Sequence, residues 1–214
     1  AGYRFETGVY LGEADLMVDW AAALARHRAD EPLLEDCLAT LEACPAHLRG
    51  VHALVGRAAG LGAAERVQLV NRYVNRRPYR NDRPVEVESR VAEALVRLPG
   101  RWSSLAEFLA RGGDCQDYAT AKYHLLRRLG FAAEDLRVVV TWERGARGHH
   151  ALLAVRFADG VVWLLDSDNA IYRDGKPFGT RFVFAINEQS VWDHEPRAGA
   201  WRSTPETPER EGAS

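Results

Sequence analysis

The strongest constraint on the fold of this chain is a change of hydrophobic period at Gly130. Before it, apolar residues recur every three to four positions, the spacing of amphipathic helices. Residues 14–27 carry Leu16, Trp20, Ala23 and Leu24 on one stripe, and Glu31-Pro32 is expected to end that helix. Further helical patterns cover residues 33–43, 47–58, 63–75 and 86–98, the last closed by Pro99-Gly100. Ser103 or Ser104 is placed to cap a short helix bearing Leu105, Phe108 and Leu109. Gly112-Gly113-Asp114 then breaks the chain before a helix over residues 115–129. Beyond Gly130 the pattern is that of strands, at 136–143, 149–157, 161–166 and 180–186, with Ala158-Asp159-Gly160 as a hairpin turn. Helices followed by an antiparallel sheet make an α+β protein. We expect a single domain over residues 1–197, mainly helical to about residue 100, and a mobile polar tail over 198–214.

Composition narrows the function. The chain has 214 residues, 47% hydrophobic and 27% charged, an ordinary globular balance. No apolar run approaches the roughly 18–20 residues of a membrane-spanning helix, so an integral membrane protein is not expected. A net charge of -2 gives no general pull toward nucleic acid. Arg72, Arg76, Arg77, Arg80 and Arg83 cluster with Tyr73 and Tyr79, but Asp82, Glu86 and Glu88 lie close by, and a solvated helix end explains them better than a nucleic-acid patch. Of the 28 basic residues only Lys122 and Lys176 are lysines, an arginine bias that reads as genomic composition. The chain has no G-x-G-x-x-G, P-loop, G-x-S-x-G or H-E-x-x-H pattern, which weighs against nucleotide binding, a serine hydrolase and a zinc hydrolase.

The stretch with chemical content is Gly112-Gly113-Asp114-Cys115-Gln116-Asp117-Tyr118. It puts Cys115 in the first turn of a helix, where unsatisfied N–H groups and the helix dipole favour an anion, the reactive form of a thiol. Two preceding glycines would let a substrate approach the backbone. The alternative is a small buried residue at a helix start. A thiol nucleophile needs a base. His149 and His150 begin a strand and point to opposite faces, so one of them can meet the Cys115 helix and alternation does not say which. An acid is needed to orient the imidazole. The hairpin returns Asp166 near the level of the histidines, and Asp168 is a second candidate, against the plain reading of both as turn residues. Cysteine on a helix start with His and Asp on paired strands is the arrangement of a thiol acyl-transfer triad.

With these residues in place, the chain resembles the bacterial transglutaminase-like cysteine proteinases, including the LapG-type periplasmic proteases that cleave biofilm adhesins. The resemblance runs from about Val70 to Trp192. It includes Asn71 and Asn75, Trp102, Gly113-Asp114-Cys115-Gln116-Asp117-Tyr118 with Ala121-Lys122-Tyr123, His150-Ala151-Leu152-Leu153, Leu165-Asp166, and Ile186-Asn187-Glu188 with Trp192. It implies a papain-like, transglutaminase-like core: a catalytic cysteine at a helix start packed on an antiparallel sheet that carries His and Asp. It implies Cys115 as nucleophile, His150 rather than His149 as base, and Asp166 as the orienting acid. It also implies an exported, periplasmic enzyme with a surface adhesin as substrate and an inner-membrane receptor of the LapD type as partner. LapG-type members bind calcium through the acids flanking the cysteine, which would make Asp114 and Asp117 the ligands here. This chain has Gln116 where the family usually has Glu, which removes one hard anionic ligand and weighs against calcium. No other cofactor is implied. The chemical rivals are a transglutaminase or amidase using the same triad on glutamine side chains, and a binding module that keeps the fold without catalysis.

Cys37 and Cys44 remain. On one unbroken helix their Cα atoms would be about 10.5 Å apart, too far to bridge. A disulfide therefore needs a loop between them, and two separate buried thiols fit the spacing equally well. The resemblance raises the disulfide, because exported relatives carry a similar early pair ending in Cys-Pro. The chain starts at Ala1 without Met, as either a mature or a trimmed form would, and that start alone does not establish export.

Overall fold

The structure, a computed structural model, describes residues 2–81, 101–173, 175–176 and 179–195. The helix expected at 86–98 and the polar tail lie outside the described residues, as do Asp82, Arg83, Glu86 and Glu88.

Five α-helices are described: α1 (Val18–Ala39), α2 (Arg49–Ala58), α3 (Ala63–Asn75), α4 (Leu105–Arg111) and α5 (Cys115–Arg128). Seven strands, β1 (Val9–Glu13), β2 (Leu136–Glu143), β3 (Gly148–Arg156), β4 (Val162–Leu165), β5 (Ile171–Tyr172), β6 (Thr180–Ile186) and β7 (Ser190–Asp193), form one sheet in the order β1-β7-β6-β2-β3-β4-β5. Every described pairing is antiparallel. The α+β class and the four expected strands are therefore present.

The departures have physical causes. Pro32 does not end the first helix; α1 runs through it for 22 residues. A proline inside a helix removes one backbone hydrogen bond and crowds the preceding turn. Here both halves are held by burial, Trp20, Ala23 and Leu24 on one side of Pro32 and Leu34 and Cys37 on the other. The helix stops at Ala39, Thr40 is extended, and a 3-10 turn over Leu41–Ala43 brings Cys44 back, so that the Cα atoms of Cys37 and Cys44 are 4.2 Å apart and the two are disulfide-bonded. The N-terminal region is not purely helical either. β1 adds to the sheet edge against β7, with Val9 opposite Asp193 and Tyr10 opposite Trp192.

One face of the sheet packs on the helices. Val138, Val140, Ala151, Leu153 and Val155 share a core with Trp20, Leu125 and Leu126, all essentially fully buried. Complete burial of each large apolar side chain contributes about 1.5–3 kcal/mol. Val139, Leu152, Ala154 and Leu164 point the other way and are covered by Tyr3 and Phe5. The period of two read from the sequence is thus realised on both faces. No described helix is long and apolar enough to cross a membrane.

Candidate active site

Cys115 is the first residue of α5, and its chain direction is set by the turn before it. Gly112 has φ of 76°, a left-handed conformation that glycine tolerates best. A Cβ there would lie 2.1 Å from the Pro78 carbonyl oxygen, and one at Gly113 would lie 2.3 Å from Asp117 Oδ2. The expectation that these glycines admit a substrate is therefore corrected: their open sides are filled by the protein itself. The gap at Gly112 lets residues 78–80 run beside the nucleophile turn, where Tyr79 bridges Gly113 and Arg80 N–H donates to the Gly113 carbonyl at 2.9 Å. Tyr118 Oη fastens the same segment by donating to the Arg77 carbonyl.

Asp117 holds the turn from inside. It is buried, and its two oxygens accept the N–H groups of Ser103 (2.8 Å) and Asp114 (3.2 Å). Burial pushes its carboxyl pKa up against those hydrogen bonds. Asp114 is the N-cap residue of α5 and is also buried.

The structure brings His150 and Asp166 to this cysteine. Pairing of β3 with β4 stops at Leu153 opposite Leu165. The His150 segment therefore extends past the end of β4, and Asp166, the next residue after it, turns beneath the ring. His150 Nε2 and Asp166 Oδ1 are 2.6 Å apart. Cys115 is near enough to His150 to help raise the pKa of its imidazole. Burial alone would lower the His150 pKa, but the hydrogen bonds and charges of Asp166 and Cys115 outweigh it and lift it to about 10. His149, on the opposite side of the strand, stacks edge-on against Trp142 with ring centroids 4.6 Å apart. Asp168 is exposed and its Oδ1 accepts the Ala170 N–H at 2.9 Å, a turn bond away from the imidazole.

Several residues of the site had no role assigned from sequence. Asp166 is buried among cations. Lys176 Nζ donates to Asp166 Oδ2 at 2.8 Å and lies 2.8 Å from Glu143 Oε1. Lys122 Nζ donates to the Asp166 carbonyl at 2.7 Å, and Asn75 Nδ2 to the same oxygen at 3.0 Å. Burial would raise the Asp166 pKa; His150 and Lys176 prevail and hold the carboxyl well below the usual carboxylate range. At Lys176 the carboxylates of Asp166 and Glu143 overcome burial and raise its pKa above the ordinary lysine value. At Lys122 burial wins and brings the pKa down to about 7. The two lysines of the chain thus both end on one aspartate, a signal that a bare count of lysines already contained.

A search among curated protein sequences finds no match. The sequence profile of the bacterial transglutaminase-like cysteine proteinases (BTLCP) matches residues 37–183. The chain belongs to this family. It is accordingly a cysteine peptidase, and Cys115, its one free cysteine, lies within the matched segment. Solved structures of Legionella pneumophila LapG share the transglutaminase-like fold. The calcium-bound form has a TM-score of 0.57 at 21% identity over 74% of this chain and 84% of that one. Another LapG structure gives 0.59 at 20% over 75% and 87%, and the EGTA-treated form 0.59 at 20% over 75% and 84%.

Calcium takes about 6–8 oxygen ligands, and the residues of this proteinase were tested for such a set. At the start of α5 both oxygens of Asp117 are already bonded to backbone N–H groups. Among the described residues one other group, Glu143, His150 and Asp166, brings ligand atoms within 4.8 Å of one another. There the Lys176 ammonium already bridges the two carboxylates. At that second group a divalent ion would have to displace the ammonium.

Proposed function

We propose that this peptidase is an endopeptidase in which Cys115, His150 and Asp166 act as a triad on an exported or surface protein of the adhesin type. The observation that carries the triad is the 2.6 Å contact between Asp166 Oδ1 and His150, whose imidazole also feels the nearby Cys115 on its helix start. The imidazole takes the thiol proton. The sulfur attacks a peptide carbonyl carbon, a C–S bond forms, and the carbonyl electron pair moves to oxygen, where the Cys115 N–H donates to it. Collapse expels the amine, which takes the proton from His150. Water, deprotonated by the same imidazole, then releases the acyl group and the free thiol. Asp166 keeps the imidazole in one orientation and stabilises its charged form.

The family supports, as part of this proposal, a periplasmic location, an adhesin substrate and a LapD-type receptor. The test is to incubate the purified chain with the cell-surface fraction of its own organism and to sequence the protein N-termini that arise. New termini within a large surface protein, absent with Cys115→Ala, support the reading. Termini confined to other proteins would refute the adhesin substrate, and identical patterns with both chains would refute the endopeptidase.

A further inference from the structure

The catalytic reading leaves one group beside the nucleophile unused. Tyr79 precedes α4 by some 26 residues in the chain, yet it stands at the start of α5 because Gly112 admits the Pro78 carbonyl and residues 79 and 113 bridge. Its ring stacks on Tyr118 at 5.7 Å and 27°, and Tyr118 is itself tied to Arg77. The ring is half exposed, and its hydroxyl is close enough to Cys115 for that residue's backbone and thiol to act on its pKa. A phenol at the start of α5, beside the nucleophile, stands where the carbonyl oxygen of a bound substrate would lie.

We infer that Tyr79 is the side-chain donor of the oxyanion hole: its hydroxyl holds the place of the substrate oxygen in the resting enzyme, withdraws by about one atom when that oxygen arrives, and then donates to it together with the Cys115 N–H. This rests on Cys115 being the nucleophile. The backbone on both sides of Tyr79 is fixed, since Arg77 is bonded by Tyr118 and Arg80 bonds Gly113, so the movement is confined to the phenol. A neutral donor is required. Burial, with the charges of Cys115 and Asp114 added, pushes the Tyr79 pKa up to about 12, so the proton is present at neutral pH. In the tetrahedral intermediate the oxygen is negative, and a phenol O–H bonds it more strongly than it bonds the carbonyl it came from. Such differential stabilisation raises the rate of the chemical step.

Tyr79→Phe keeps the ring and its stacking and removes the hydroxyl alone. Three readouts are taken on wild type, Tyr79→Phe and Cys115→Ala. The first is p-nitrophenyl acetate, whose acyl group moves to the sulfur as p-nitrophenolate leaves. The second is inhibition by acetaldehyde, which adds the thiol to give a tetrahedral adduct with an oxygen in the same hole. The third is alkylation by iodoacetamide, a displacement at a saturated carbon that makes no oxyanion. Tyr79→Phe should slow acylation by about 10–100-fold, somewhat less than the loss of a full oxyanion-hole donor. It should weaken the aldehyde by a similar factor and leave alkylation within about twofold. Acylation and aldehyde binding equal to wild type would overturn the role of Tyr79 while leaving the nucleophile intact. Faster alkylation with faster acylation would also overturn it, and would make the hydroxyl a cover over the thiol. If wild type and Cys115→Ala acylate equally, the cysteine reading itself fails, and that result is separate from the others.

Discussion

At one end of the site Cys115 is positioned by the main chain: a helix start, a turn that closes on the Pro78 carbonyl, and backbone N–H groups gathered by Asp117. At the other end Asp166 is positioned by side chains from distant elements, Lys122 of α5, Asn75 of α3 and Lys176 of the segment between β5 and β6. The nucleophile end is held mostly by main-chain bonds, gathered by the one buried carboxylate of Asp117. The acid end is long-range and is built from ions taken out of water, whose desolvation must be offset by close, complete pairing. The first kind of positioning tolerates distant substitutions; the second fails when any one partner is removed.

The largest effect belongs to the nucleophile. Cys115→Ala should abolish ester and peptide cleavage while lowering stability by only about 1–2 kcal/mol, since the lost side chain is small. Activity assay beside thermal melting checks this. Residual activity near wild type would place the reaction elsewhere and make the comparison of the two ends irrelevant to catalysis.

The acid comes next. Asp166→Asn should reduce turnover by about three orders of magnitude, because an amide can fix the wrong imidazole tautomer and cannot stabilise its charge. Asp168→Asn should stay within about threefold, since its carboxylate serves a turn bond to Ala170. A reversal of the two would mean that the acid end is centred on the wrong residue. His149→Ala, at the Trp142 contact, belongs with the small effects, whereas His150→Ala belongs with the large ones.

The same contrast decides what could be read from the sequence. The nucleophile end was legible because glycine, cap acid, cysteine and helix face fall within seven consecutive residues. His150 was not separable from His149 by alternation, since alternation fixes opposite sides and not which side meets α5. By strand parity His150 goes with Leu152 and Ala154 of the smaller core, and β4 does not pair alongside it. The acid end was illegible because its stabilising groups are separated in sequence by up to about a hundred positions. Even so, the chain uses lysine twice, and both ammonium groups meet at Asp166. Pro32 misled for a related reason: a local rule predicted a stop that burial on both sides overrides. β1, β5 and β7 were missed because strands of only two to five residues carry too few residues to show a period.

Lys176 sharpens the comparison at intermediate size. Lys176→Met leaves Glu143 and Asp166 with their mutual repulsion uncompensated, and the imidazole loses its fixed acid. Turnover should fall about tenfold, as for other groups that orient a reactive residue through a partner, with KM little changed because Lys176 contacts the acids rather than the thiol. No fall in turnover would show that the ammonium is a bystander and that β4 and Ser167 N–H, which donates to Asp166 Oδ1 at 2.7 Å, suffice to hold the acid.

The smallest effect is a slope, and it separates two charges that meet at the same aspartate. His150 has its pKa raised to about 10 in the folded state. Its contribution to stability is therefore complete below about pH 6.5, the unfolded value, and is lost as pH rises toward 10. Lys122 is shifted the other way, down to about 7, chiefly by burial. Between pH 7 and about 10.4 the unfolded chain holds that proton more strongly than the folded one, so this lysine makes stability rise with pH. In the interval from pH 7 to 9 the two slopes oppose each other. Tyr3 and Tyr79, pushed up to about 12, stay protonated there in both states. Urea unfolding of the wild type should accordingly be nearly flat across pH 7–9. Lys122→Met removes the rising term, so the stability of that variant should fall with pH; His150→Gln removes the falling term, so its stability should rise. Parallel curves for all three proteins would show that neither charge is coupled to folding, and the acid end would then be held by packing, as the nucleophile end is.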